Sequence, residues 1–324
     1  METQKPKRDF HKILSKYSLV LILIVFMAVC AIANKHFLKP DNLLNVARQQ
    51  SVILIIAFGE MLLITAGLLD LAAGAVVALA GVLAVSAYHV THSITATFAV
   101  AIGVSVACNL LSGFMVTKFR TPPFIATLAI QTMARGAALF YTDGQNIYDL
   151  GKFTVVGQGS FLGIPIPVII MLVTFAVIFY LTNHTRMGRS IYAIGGNEQA
   201  ANASGIKVKS VKMKTYAIHG VLVGIAAAVF VSRVNGAMPN GAQGYEFDAM
   251  TATIIGGTSF SGGVGSAFGT MIGAFIVGFL SNIMNLISVN SYIQQIVKGV
   301  IIAGAVIWDL YSKEKKTYKK GSRG

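Results

Sequence analysis

The sequence predicts an all-α polytopic membrane protein of about ten transmembrane helices, some of them discontinuous at membrane depth. Three observations carry that expectation. The 324 residues are 55% hydrophobic and only 12% charged, with a mean hydropathy of +0.69, values foreign to a soluble domain of this length. Long apolar runs recur along the whole chain, separated by short polar stretches. The lysines and arginines behind the formal net charge of +14 gather in the termini and in alternate polar loops. That distribution is the positive-inside pattern of a membrane protein, and it excludes a nucleic-acid footprint.

The N-terminus runs from a basic segment holding Lys5, Lys7, Arg8, Lys12 and Lys16 into an apolar stretch. That stretch is too long for the core of a signal peptide, so an uncleaved first span over about Tyr17 to Ala33 is expected, leaving residues 1–16 in the cytoplasm. A short external loop to Gln50 follows. From Ser51 to Tyr88 the chain is almost unbroken apolar sequence, room for two short spans, and its interruption, TAGLLDLAAG from Thr65 to Gly74, falls at or near membrane depth. Further spans are read over about Ile94 to Val116, Phe124 to Tyr141 after the extended Pro122-Pro123, Pro167 to Leu181 and Tyr216 to Val234. The last three cover about Asp248 to Thr258, Gly265 to Ile287 and Ser291 to Trp308, before the basic tail of residues 309–324. Both termini are then cytoplasmic, with external loops over 142–165 and 235–247, and a cytoplasmic loop over 183–214. Lys35, Lys39 and Arg48 are exceptions to the charge bias. One integral domain over 1–324 is the economical organisation. Cys30 and Cys108 both lie in apolar runs and read as small buried hydrophobes, with no disulfide framework and no metal spacing.

The glycine-rich run GGTSFSGGVGSAFG, residues 256–269, lacks the GK[ST] ending of a phosphate-binding loop and the spacing of a dinucleotide fingerprint. Gly265, Gly269 and Gly273 instead recur every fourth residue into an apolar helix, which presents one small-residue face for close helix packing. Ionisable groups at membrane depth are few and costly, which makes Glu60, Asp70, Arg135 and Asp248 functional candidates. Interhelical pairing is the alternative for all four, and capping of half-helix N-termini is the alternative for Asp70 and Asp248. His89 and His92 border an external turn, while His184 and His219 flank the cytoplasmic loop. With no partner at metal-ligand spacing, all four read as solvated or interfacial. No nucleophilic triad, catalytic carboxylate pair or metal motif is present, so no enzymatic activity, metal or cofactor is expected of this chain.

The polar stretch Thr185–Lys214 is the longest between two apolar blocks and reads as a docking surface for a cytoplasmic protein. Gly195-Gly196 allow a tight turn, Asn197 is a helix N-cap, Glu198 to Ala201 are helix formers and Gly205 ends the helix. The segment has too few large apolar or basic residues to lie on lipid headgroups as an amphipathic connector.

The strings TPPFIATLAIQTMARGAALFYT, HTRMGRSIYAIGGNEQAANASGI, GYEFDAMTATIIGGTSFSGGVGSAFGTMIGAFIVGFL and SYIQQIVKGVIIAGAVIWD closely resemble the permease subunits of ribose- and galactoside-type ABC importers. The likeness runs from about Asn42 to Asp309. It implies a monosaccharide permease of the bacterial inner membrane that pairs with a second copy or a homologue. It also implies an ATP-binding subunit with two cassettes, which uses the ATP and Mg, and an external sugar-binding protein. Residue by residue, it implies a coupling helix received by the ATPase at Gly195, Gly196, Asn197, Glu198, Ala200, Ser204, Gly205 and Ile206. Asp70 to Gly74 and Gly244 to Asp248, with Tyr245 and Glu246 among them, are implied near the translocation pathway. One departure is Asp70-Leu71-Ala72, where the family commonly reads Asp-Leu-Ser, and Glu60 stands where an uncharged residue is usual. An ion-coupled carrier or channel, using Glu60, Asp70 and Asp248 as titratable groups, is the alternative from another class. A membrane anchor for a cytoplasmic complex is a third reading.

Overall fold

The computed structural model describes residues 10–321, with only the helical path given for 10–17, 310 and 312–321. Lys5, Lys7 and Arg8 and the last three residues of the basic tail lie outside the described residues. The chain begins with α1 (Phe10–Ala33), α2 (Pro40–Thr65), α3 (Ala73–Thr91), α4 (Ile94–Lys118) and α5 (Pro123–Thr142). Short elements follow: β1 (Ile147–Tyr148), a 3-10 turn (Gly151–Thr154), α6 (Val155–Gln158) and the hairpin β2 (Ser160–Phe161) and β3 (Ile164–Pro165). Then come α7 (Ile166–His184), α8 (Arg186–Gly196), α9 (Glu198–Ala203), α10 (Val208–Val234), β4 (Gly236–Ala237), α11 (Tyr245–Ile255), α12 (Ala267–Leu286) and α13 (Ser291–Gly321).

The helix starts follow local chemistry. Proline stands in the first turn of α2, α5 and α7, where its missing N–H has no intrahelical partner to lose. Ser93, Thr185, Asn197 and Ser266 each accept a backbone N–H three residues on, capping α4, α8, α9 and α12. Asn197 caps α9 at 2.9 Å from the Ala200 nitrogen, and Gly205 ends that turn at φ 83°.

Among the described residues, eight helices are long and apolar enough to cross a membrane, and Ser18–Ala33 adds a shorter apolar segment. The span expected over Asp248 to Thr258 is instead the 11-residue α11, about 16 Å long and too short to cross. The external loop expected as far as Gln50 shrinks to residues 34–39. Pro40 starts a helix and nothing breaks it before Gly67, so the polar first turns of α2 are helical although they fail a hydropathy window. Much of the polar 185–214 stretch is likewise helical, and α10 begins at Val208, well before its apolar part.

α2, α3 and α10 form the centre, and most of their residues are buried. α4, α5 and α7 pack around it and α13 packs on α11, turning residues such as Leu111, Phe140, Val173 and Ile296 outward. Such a surface suits lipid, where helices leave no unpaired backbone groups. Gly269 and Gly273 put the backbone of α12 against the carbonyls of Gly256 and Ala252 at the end of α11, while Gly265 lies in the preceding loop beside Met61 and Thr65.

Cross-loop contacts sort the helix ends onto two sides. On one side β1 pairs with β4, Arg48 donates to Ser160 at 3.2 Å, His89 meets the Asp149 carbonyl at 2.9 Å and Asn34 donates to the Leu286 carbonyl at 3.2 Å. On the other, the 183–207 segment meets the end of α2 and the 256–265 loop.

Candidate functional site

Two broken helices meet in the core. α2 ends in a Schellman motif: Leu68 N–H donates to the Leu63 carbonyl at 2.8 Å, Gly67 N–H donates to that of Ile64 at 2.9 Å, and Gly67 takes φ 74°. The chain restarts as α3 only at Ala73. In between, Asp70 Oδ1 accepts the N–H of Ala72 at 2.7 Å. Ala72 itself occupies the N-cap position without a side-chain hydrogen bond, so the carboxylate two residues earlier takes up the orphan donor.

Three ties hold this loop. Glu60 Oε1, on α2, accepts from the backbone N–H of Asp70 at 3.3 Å. Tyr216, on α10, donates its hydroxyl to the Leu69 carbonyl at 3.3 Å. His219, one turn further along α10, meets Asp70 Oδ2 through Nε2 at 2.9 Å and lies 3.9 Å from Glu60 Oε2. Glu60, Asp70 and His219 are each no more than 1% exposed. Among the described residues Glu60 Oε2 and His219 Nδ1 have no hydrogen-bond partner.

The placement of His219 corrects the expectation of a solvated or interfacial histidine. It lies five residues into the apolar run after Lys214, on the same helical face as Tyr216, and that position was the signal to weigh. Gly59 makes room for its ring, since a Cβ there would fall on Nδ1.

The N-terminus of α11 abuts that of α3. Gly74 faces Glu246 and the Ala242 carbonyl so closely that a Cβ could not fit, and Glu246 is buried with Oε2 lacking a hydrogen-bond partner among the described residues. Arg135 on α5 holds the preceding loop by donating Nη1 to the carbonyls of Pro239 at 2.6 Å and Gly241 at 3.0 Å. Tyr245 packs edge-on against Phe230 with ring centroids 5.6 Å apart. Asp248 does not cap α11. It stands in the first turn but gives no side-chain cap, and pairs instead with Lys298 of α13 at 2.9 Å, beside a cavity of about 230 Å³.

The 185–207 segment lies against the same elements. Gly195 and Gly196 do not form the expected tight turn; they complete the last turn of α8. Gly195 is pressed backbone to backbone on the Thr65 carbonyl at the end of α2 and on Gly262 and Gly263, and Gly263 N–H donates to that same carbonyl at 2.9 Å. Tyr192 adds a hydroxyl bond to the Gly265 carbonyl at 2.9 Å. Burial pushes its phenol above the ordinary value, so it remains a donor at physiological pH. Asn197, Glu198, Ala200, Ser204 and Gly205 are exposed and Ile206 is half-buried. Glu198 pairs with Lys212 at 2.7 Å.

Residues 42–306 match the family described as branched-chain amino acid transport system / permease component. The ribose import permease protein of Bacillus subtilis is 40% identical over 314 residues, covering 95% of this chain and 97% of that protein. That of Escherichia coli K12 is 38% identical over 314 residues, covering 95% and 98%. The D-allose transport system permease protein of the same strain is 34% identical over 312 residues, covering 95% of each. With a match across most of its length and full-length relatives at this identity, the chain belongs to this family of transport-system permeases.

Proposed function

We propose that the chain is the membrane subunit of an ATP-driven importer of a monosaccharide, with ribose the first sugar to test. The relatives named for ribose and allose transport support that substrate class. A separate polypeptide with two ATPase cassettes would dock on α8 and α9, a second copy or homologue would complete the membrane unit, and a sugar-binding protein would deliver substrate on the opposite side. Both termini then lie in the cytoplasm.

The observation that carries this reading is the seat of Gly195. A segment exposed for docking on one face is in backbone contact on the other with the end of α2 and with the glycine loop between α11 and α12. Both broken helices are therefore linked to it without an intervening flexible side chain. Cassette closure would displace α8 and α9, and that displacement would shift the α2–α3 break and the α11 end together. Glu60, Asp70, Tyr216 and His219 would hold the break in one arrangement and re-pair in the other. Gly74, Tyr245, Glu246 and Asp248 would border the path, while Arg135 keeps the loop before α11 in shape. Weak polar contacts suffice in such a path, because tight binding would slow release. Specificity would then rest mainly with the delivering protein.

Mild-detergent purification from native membranes tests this. The two-cassette ATPase should co-purify with the intact permease and be lost with Glu198→Arg. Recovery of an intact permease without any cassette protein, from membranes that still take up sugar, would overturn it. That outcome would favour ion-coupled transport, for which the buried Glu60–Asp70–His219 cluster supplies titratable groups.

A further inference from the structure

We propose that the groove between the α4–α5 turn and the α9–α10 junction receives an acidic segment of the ATPase polypeptide, as a second contact beside the coupling segment. The inference rests on the function proposed above and adds a surface and a charge to it.

The groove encloses about 1100 Å³. One wall carries Arg120 and Thr121 from the α4–α5 turn, and the other carries Glu198 of α9 with Lys207, Lys209 and Lys212 at and after the start of α10. Four cations thus face one carboxylate, and that carboxylate is already engaged by Lys212 at 2.7 Å. Arg120, Lys207 and Lys209 are exposed and make no ion pair among the described residues. An uncompensated positive cleft of this kind draws a negatively charged partner and fixes its register.

The floor gives the groove a consequence for transport. Gly67 and Leu68 form part of it, and Gly67 is exposed. They belong to the break between α2 and α3, two and three residues before Asp70. An occupant would therefore touch the loop whose Asp70 is bonded to His219 at 2.9 Å. The ATPase would then sense the state of the break directly, in addition to acting on it through Gly195.

Two features favour a peptide over a lipid headgroup. Uncharged hydrogen-bonding side chains, Thr121, Gln199, Asn202 and Ser210, are interspersed with the cations, which suits backbone amides as well as carboxylates. The groove also shares α9 with the surface that the ATPase covers in the proposed complex.

The test places a benzophenone amino acid at Thr121, on the wall opposite the coupling segment, in the complete transporter in native membranes. The expected result is a crosslink to the ATPase polypeptide that falls at least about fivefold in Lys207→Glu/Lys209→Glu. ATPase retention in that variant and in Arg120→Glu should weaken about tenfold at 0.15 M salt, while Lys152→Glu, exposed on the opposite side of the helices, should leave it unchanged. Crosslinks to phospholipid alone, or retention unaltered by either reversal, would overturn the proposal. If unmodified permease retains the ATPase while Thr121 captures none, the groove assignment fails by itself. If unmodified permease retains no ATPase, the proposed function fails with it.

Discussion

Gly195→Ala is the sharpest perturbation the structure offers, because its neighbour supplies the control. A Cβ at position 195 would fall on the carbonyl of Thr65 and against the nitrogen of Gly263, both backbone atoms that cannot rotate away. A Cβ at Gly196 would meet nothing within 4 Å. To reach ordinary van der Waals separation, α8 must retreat from α2 by on the order of 1 Å. Such overpacking costs about 1–3 kcal/mol. A retreat also stretches the 2.9 Å bond from Tyr192 to Gly265, whose net worth is about 0.5–1.5 kcal/mol. If that cost falls on the seated arrangement through which motion passes, ATP-driven uptake should drop about tenfold or more, at about 1.4 kcal/mol per decade. Gly196→Ala should stay within about twofold. Uptake and ATP hydrolysis are measured side by side in proteoliposomes containing the complete transporter. Gly195→Ala should hydrolyse ATP while transporting little. Equal uptake in the two alanine variants would refute the direct backbone seat as the route of coupling.

Other expectations follow from the ties around the break. His219→Ala removes a buried hydrogen-bond partner of Asp70, which should cost about 1–3 kcal/mol and lower the thermal midpoint in detergent, with His219→Gln losing less because an amide donor remains. Glu198→Arg removes an exposed ion pair worth no more than about 1 kcal/mol, so the purified permease should keep its thermal midpoint while losing the ATPase in co-purification. Lys298→Met leaves Asp248 facing an apolar cavity and should destabilise the permease, and Asp248→Asn in the same chain should recover part of the lost midpoint.

Much of the fold was legible because membrane helices declare themselves locally. Apolar length, charge bias and loop punctuation placed the long spans, and the α9 turn could be read from Asn197 to Gly205 one residue at a time. The start of α2 was missed for the opposite reason. Hydropathy sees Asp41, Arg48 and Gln50 as loop, whereas the backbone sees Pro40 and no breaker. Pairings over long separations were out of reach: Asp70 and His219 are 149 positions apart, and Asp248 and Lys298 are 50 apart. Their chemistry is decided by which helices become neighbours, not by local spacing. Gly195 illustrates the same limit. A glycine pair suggests a turn, and only the packed structure reveals that one of the two is needed for contact with another helix end.

The most direct measurement is sugar uptake into proteoliposomes holding the permease, its ATPase and the sugar-binding protein, with ATP inside and an ionophore added to collapse ion gradients. The expected result is uptake of ribose or a closely related monosaccharide that requires ATP and the binding protein, survives the ionophore and is lost in Glu198→Arg. Uptake that persists without ATP and vanishes with the ionophore would contradict it.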